Sequence, residues 1–110
     1  MKHIPLLKLL IPKKIVTTVT FKIEEIITTF DLHWFYTGKF HGKHRILLYH
    51  ESYPTKTVSL VERYKLHDTI ESLYHTIILN NAQFPVIKND FVTKVLISIP
   101  PEYLDLIRNQ

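Results

Sequence analysis

From Ile15 to Ile23 apolar and polar positions alternate. Ile15, Thr17, Val19, Phe21 and Ile23 fall on one side; Val16, Thr18, Thr20 and Lys22 fall on the other. A period of two in a β-branched run predicts a strand. Glu24 and Glu25 interrupt it without Gly or Pro, which predicts a short turn or a bulge. Ile26 to Thr37 is again β-branched and aromatic and reads as a second strand. The stretch TGKFHGKH holds both glycines and is the best hairpin turn in the chain, with His41-Gly42 as its centre. Arg45 to Tyr53 reads as a third strand, Pro54 to Lys56 as a turn, and Thr57 to Leu66 as a fourth strand through Val58, Leu60, Tyr64 and Leu66.

The period then changes. Ile70, Leu73, Tyr74, Ile77 and Ile78 fall at i, i+3, i+4, i+7 and i+8, one apolar stripe of a helix over Thr69 to Leu79. Asp68 is a good N-cap, with Glu71 completing a capping box. Asn80 and Asn81 can close the helix in the left-handed conformation. Phe91 to Ile99 reads as a fifth strand, apolar at Phe91, Val95, Ile97 and Ile99. Pro100 and Pro101 stop it, and Pro101 can open a short last helix carrying Tyr103, Leu104 and Ile107.

The expected architecture is a single α+β domain over residues 15–110, in the order β-β-β-β-α-β-α. Sequential strands joined by short turns favour an antiparallel sheet of about five strands, with one main helix on one face. The other face carries Thr and Lys yet keeps several aromatics. It is either a binding surface or buried against another chain, and a homodimer is the expected cover. Residues 1–14, with Pro5 and Pro12 bracketing a short apolar run, read as an N-terminal arm or edge strand. Swapping that arm is one route to the dimer.

Composition narrows the classes. The chain has 110 residues, 45% apolar and 22% charged, so it is globular rather than disordered. With no cysteine, disulfides, thiolate metal sites and cysteine nucleophiles are excluded. With two glycines in one turn, Gly-rich phosphate loops are excluded too. The N-terminus has the basic start of a leader, but Lys8 interrupts its apolar run and no cleavage site follows. A run of that length cannot span a bilayer, which needs roughly twenty residues. No membrane span and an intracellular location are therefore expected: cytoplasmic, or a host cell if the source is viral. Abundant Ile, Leu, Lys, Thr, Tyr and Phe with scarce Gly, Ala and Arg match an AT-rich coding source, such as a virus, an organelle or an AT-rich microbe.

Net charge is +4, mildly basic. Eleven of its fourteen cations are Lys, and Arg45, Arg63 and Arg108 are the only Arg. Base-specific reading of duplex DNA favours Arg and is not expected. The hairpin tip offers a different chemistry. Lys39, His41, Lys43, His44 and Arg45 lie within seven residues, beside Trp34, Phe35, Tyr36 and Phe40. Cations neutralise phosphates while aromatics stack on bases, so the mixture suits RNA or single-stranded DNA. Four strands followed by a helix is similar in order to several single-strand-binding modules, though the chain carries none of their signature motifs.

A second constellation depends on register. If the hairpin closes with His41-Gly42 as a two-residue turn, paired positions sum to 83, so that His33 faces His50, Thr37 faces Ile46 and Asp31 faces Ser52. Asp31, His33 and His50 would then share one face, where they could bind a divalent metal or act as acid and base on a phosphodiester. A three-residue loop would shift the register by one and break that pairing. His41 and His44 supply only two local ligands, fewer than a structural metal site needs. His67 flanks the helix start and His75 faces solvent, and no Ser-His-Asp motif is present. PPEYLDLIRNQ looks like the start of a ribbon-helix-helix repressor, but the second helix is missing.

The preferred reading is a small non-enzymatic binding protein, without cofactor or metal, that takes RNA or single-stranded DNA at the basic and aromatic hairpin. The alternative is a protein–protein interaction module docking on a host or assembly partner through an exposed strand or the open sheet face. A metal- or His-dependent nuclease using His33, His50 and Asp31 ranks third.

Overall fold

The computed structural model describes residues 11–50, 58–80 and 83–108. The arm up to Leu10, the turn at Pro54 to Lys56, and Ser52 lie outside them. The architecture is α+β: a four-stranded antiparallel sheet in the order β1-β2-β3-β4, with helices on one face. The strands are β1 (Lys14–Ile23), β2 (Ile26–Phe40), β3 (Lys43–His50) and β4 (Val58–Leu60). A 3-10 turn at Arg63–Lys65 leads into α1 (Leu66–Asn80), followed by α2 (Lys88–Ile97) and α3 (Pro101–Arg108).

Alternation along the strands separates two faces. Val19 and Phe21 of β1, Phe30, Leu32 and Trp34 of β2, Ile46 and Leu48 of β3, and Leu60 of β4 are buried on one side. The helices supply the other half of that core through Leu66, Ile70, Leu73, Tyr74, Ile77, Phe91, Val92, Val95, Tyr103 and Ile107. Ring contacts join the layers. Phe21 stacks on Phe91 with centroids 6.0 Å apart, and Phe30 stacks on Phe84 at 4.8 Å. The Tyr74 hydroxyl, buried among them, donates to the Val86 carbonyl at 2.6 Å, so its polar end is satisfied. Tyr103 of α3 donates to the Pro12 carbonyl, tying the last helix to the chain just before β1. Burial, and secondarily Glu102, raise the pKa of Tyr103, which keeps it a donor.

Three expectations are corrected. Phe91 to Ile99 is not a fifth strand, because Lys88–Ile97 is helical. Phe91, Val92, Val95 and Ile99 are buried while Thr93 and Ile97 are exposed, which is the periodicity of a helix. Its β-branched residues favour a strand locally, and packing of this stripe on the sheet overrides them. The fourth strand is shorter than Thr57 to Leu66, since the chain turns into a 3-10 helix at Arg63. The following helix starts at Leu66, not after an Asp68 cap. Asp68 lies in its first turn, where a carboxylate still favours the helix dipole. The apolar stripe from Ile70 to Ile78 is as expected, and Pro101 opens α3.

Candidate nucleic-acid interface

The long hairpin of β2 and β3 carries most of the candidate residues. At its end Phe40 pairs with Lys43 and Lys39 with His44, leaving His41-Gly42 as a two-residue turn. Both turn residues have positive φ, 52° and 79°, as the mirror-image turns of tight hairpins require. Four residues back, the register slips. Tyr36 pairs with Ile46, so Thr37 and Gly38 together oppose Arg45, and Gly38 takes the left-handed φ of 87°. This is a β-bulge, two residues against one.

The bulge dissolves the histidine constellation. Below it His33 pairs with Tyr49, and His50 pairs with Leu32. His33 therefore lies on the uncovered face, its ring stacked on Tyr49 at 4.9 Å and 8°. His50 lies on the covered face, edge-on to Phe30 at 4.7 Å. Asp31 stays on the His33 face, where Thr18 Oγ1 donates to it at 2.9 Å. Among the described residues no three His, Asp or Glu side chains are grouped to hold a metal. His67 Nδ1 lies 3.8 Å from the Asp68 carboxylate, and His75 is exposed on α1.

The basic tip is partly neutralised by its own fold. Lys43 Nζ sits 2.8 and 3.0 Å from the two carboxylate oxygens of Glu62. The Arg45 guanidinium lies 4.6 Å above the Phe40 ring, and its Nε donates to Thr37 Oγ1 at 3.1 Å. Cation and ring thus form one preassembled pair at the surface. His44 Nδ1 is 2.7 Å from the Tyr36 hydroxyl. Its pKa is lowered, first by burial and then by Lys39, so the imidazole stays neutral near pH 7. Lys39 and His41 are exposed at the tip, and the Phe40 ring meets His41 at 4.3 Å. Trp34 does not belong to this surface. It is fully buried, and its indole N–H donates to Thr17 Oγ1 at 2.7 Å. Tyr36 is half-buried, near Tyr103.

A larger surface adjoins the tip. No helix covers the second face of the sheet among the described residues. Cross-strand rows run over it: Lys14 to Phe35 to Leu47, and Val16 to His33 to Tyr49. Phe35 is 38% exposed and Val16 49%. Both ring nitrogens of His33 are buried there without a hydrogen-bond partner. Asp31 is the only acid in the four strands, against Lys14, Lys22, Lys39, Lys43 and Arg45. Sequence reasoning named Phe35 only as one of the aromatics beside the tip and did not name Tyr49. The alternation that buries Trp34 already placed Phe35 outside, whereas Tyr49 beside His33 needed the bulge.

Comparison with protein-family models, with curated proteins and with solved structures gives no match. Among the described residues no helix is long and apolar enough to cross a membrane.

Proposed function

We propose that the protein binds single-stranded nucleic acid, RNA or single-stranded DNA, across the uncovered face of its sheet, with the hairpin tip as one end of the track. The observation that carries this reading is the row of rings on the two central strands. Phe35 and the stacked pair of His33 and Tyr49 lie on the face without helices, and the Phe40–Arg45 pair continues them toward the tip. Rings on a sheet offer stacking platforms for successive bases, and stacking is worth about 1–3 kcal/mol per base. Lys14, Lys22 and Arg45 border the rings and are placed to meet phosphates, while Lys39, paired with His44, reaches out at the tip from the other side. Lys43 contributes less, because Glu62 already holds it.

Phosphate contacts set the salt dependence. About four of them give a log–log slope of about −3, at roughly 0.7 per contact for single strands. The test is fluorescence anisotropy of labelled oligouridine and oligothymidine over a salt series. Expected are binding at low salt with that slope and a loss of about tenfold or more in each of Phe35→Ala and Tyr49→Ala. Absence of binding at low salt, or unchanged affinity in both variants, removes the reading.

A further inference from the structure

One long edge of the sheet has no strand beside it among the described residues. β1 is terminal in the strand order and runs for 10 residues. The Tyr36 amide donates to the Lys13 carbonyl at 2.8 Å, which fixes the phase of the ladder. In an antiparallel pair, residues bonded to the neighbouring strand alternate with residues turned away from it. Ile15, Thr17, Val19, Phe21 and Ile23 therefore aim their backbone groups at β2. Lys14, Val16, Thr18, Thr20 and Lys22 aim theirs outward. Lys94 Nζ donates to the Thr20 carbonyl, which is where this phase puts an outward group. An edge of this length is a template for another strand, and a lysine laid across it is a common guard.

Lys94 belongs to α2, which runs beside this edge. Asp90, Thr93, Lys94 and Ile97 recur at helical spacing and form one wall of a groove whose other wall is β1. Two cavities open along it. One of about 240 Å³ lies between Phe21, Lys22, Val86 and Asp90. Another of about 390 Å³ lies between Thr18, Thr20, Ile97 and Ser98. Lys94 borders both and stands between them. Ile97 is 78% exposed, an apolar wall with nothing against it among the described residues. An edge strand facing a helix across such a groove is how strand addition receives an extended peptide: main-chain bonds hold it, and alternate side chains enter pockets. Alternate residues on one face of a strand stand about 7 Å apart.

Charge selects the occupant. Lys14 and Lys22 on β1 and Lys94 on the helix line the edge, against Asp90 in the groove, with Glu24 and Glu25 beyond the end of the strand in the turn. A second copy of β1 laid antiparallel and centred on Thr18 would set Lys14 against Lys22 at both ends, and like charges directly opposite are unfavourable. A segment bearing a carboxylate is complementary. It can draw Lys94 Nζ off the Thr20 carbonyl, which then accepts a bond from the incoming chain. The geometry points to the groove between β1 and α2 as the docking site of an extended acidic segment of a partner protein, added as a fifth strand with its carboxylate against Lys94. This site adjoins the ring-bearing face and shares Lys14 and Lys22 with it, but its groove, edge amides and Lys94 do not rest on nucleic-acid binding.

The test uses the full chain and two fluorescein-labelled peptides of alternating Val and Thr, one with a central Glu and one with a central Lys. Anisotropy is expected to show the Glu peptide binding and the Lys peptide binding about tenfold or more weakly, a gap of about 1.4 kcal/mol. Thr18→Pro removes an outward amide without removing a ladder bond, and it is expected to abolish binding while far-UV circular dichroism is unchanged. Lys94→Glu is expected to invert the preference between the peptides, and it carries the test alone if the proline variant fails to fold. The proposal is overturned if the Glu peptide does not bind at roughly 1 mM, if its binding survives Thr18→Pro in a folded protein, or if Lys94→Glu leaves the preference unchanged. A dimer that Thr18→Pro converts to monomer also overturns it, because a second copy then fills the edge. Displacement of the peptide by oligouridine, with no loss in Phe35→Ala, assigns the groove to nucleic acid and overturns it too.

Discussion

The two faces of the sheet are built from the same strands, one residue out of step, and they have opposite chemistry. On the covered face Trp34, Leu32, Ile46 and Leu48 have no exposure, and the one indole N–H there is bonded to Thr17. On the other face Val16, Phe35 and Ile27 keep a third to two thirds of their surface in water, and an imidazole lies without a bond. Similar residue types serve as core or as surface according to parity alone. Apolar side chains alternating with threonines would suit a solvated face if they were scattered. Here they adjoin across three strands, and a contiguous apolar and aromatic patch on a small protein marks a site of contact.

The largest expected difference between the faces is in stability. Trp34→Ala is expected to cost about 3–5 kcal/mol, the range for emptying a large buried aromatic site. Phe35→Ala, one residue away, is expected to cost only about 1 kcal/mol, because 38% of Phe35 is already exposed and no helix packs on its face among the described residues. Urea denaturation measures both. Equal losses would mean that the second face is covered in solution, as the expected homodimer would make it, and light scattering would then report the dimer.

Much of this division was legible in the chain. The strand at Ile15 to Ile23, the turn at His41-Gly42, the stripe from Ile70 to Ile78 and the helix opening at Pro101 each rest on a local signal: period, glycine, or a ring that fixes φ. What was not legible rests on tertiary contacts. Phe91 to Ile99 carries strand-forming residues at positions that also satisfy a helix, and only packing against Phe21 and Phe30 decides between them. The bulge at Thr37 and Gly38 is a single extra residue. It separates His33 from His50, sends them to opposite faces, and leaves a pairing rule correct at the tip but wrong four residues further on. The ion pair of Lys43 with Glu62 joins residues 19 apart in sequence, so the tip looked more basic than it is.

A smaller effect sharpens the account of that tip. Glu62→Gln removes the partner of Lys43, whose side chain is 44% exposed, so the stability cost is expected to stay below about 1 kcal/mol. The freed ammonium is expected to tighten oligouridine binding and to make the log–log salt slope steeper by about 0.7. Unchanged slope would place Lys43 off the nucleic-acid track.

The smallest effect belongs to His44, on the covered side of the tip. Its folded pKa lies below the ordinary value of about 6.5. As pH falls, the unfolded chain therefore takes up the proton first. Stability from this group is full above about pH 6.5 and declines below it, until the folded imidazole is protonated as well. Thermal melts between about pH 5 and 8 are expected to show that decline in the parent chain and a flatter profile in His44→Gln.

The most direct measurement is amide chemical-shift mapping of the full chain during titration with oligouridine at low salt. The expected shifts run along the uncovered face at Val16, His33, Phe35, Leu47 and Tyr49 and on to Phe40, while Ile70, Leu73 and Tyr103 beneath the sheet stay still. Shifts confined to the helices, or none while the protein remains folded, would contradict the assignment of that face.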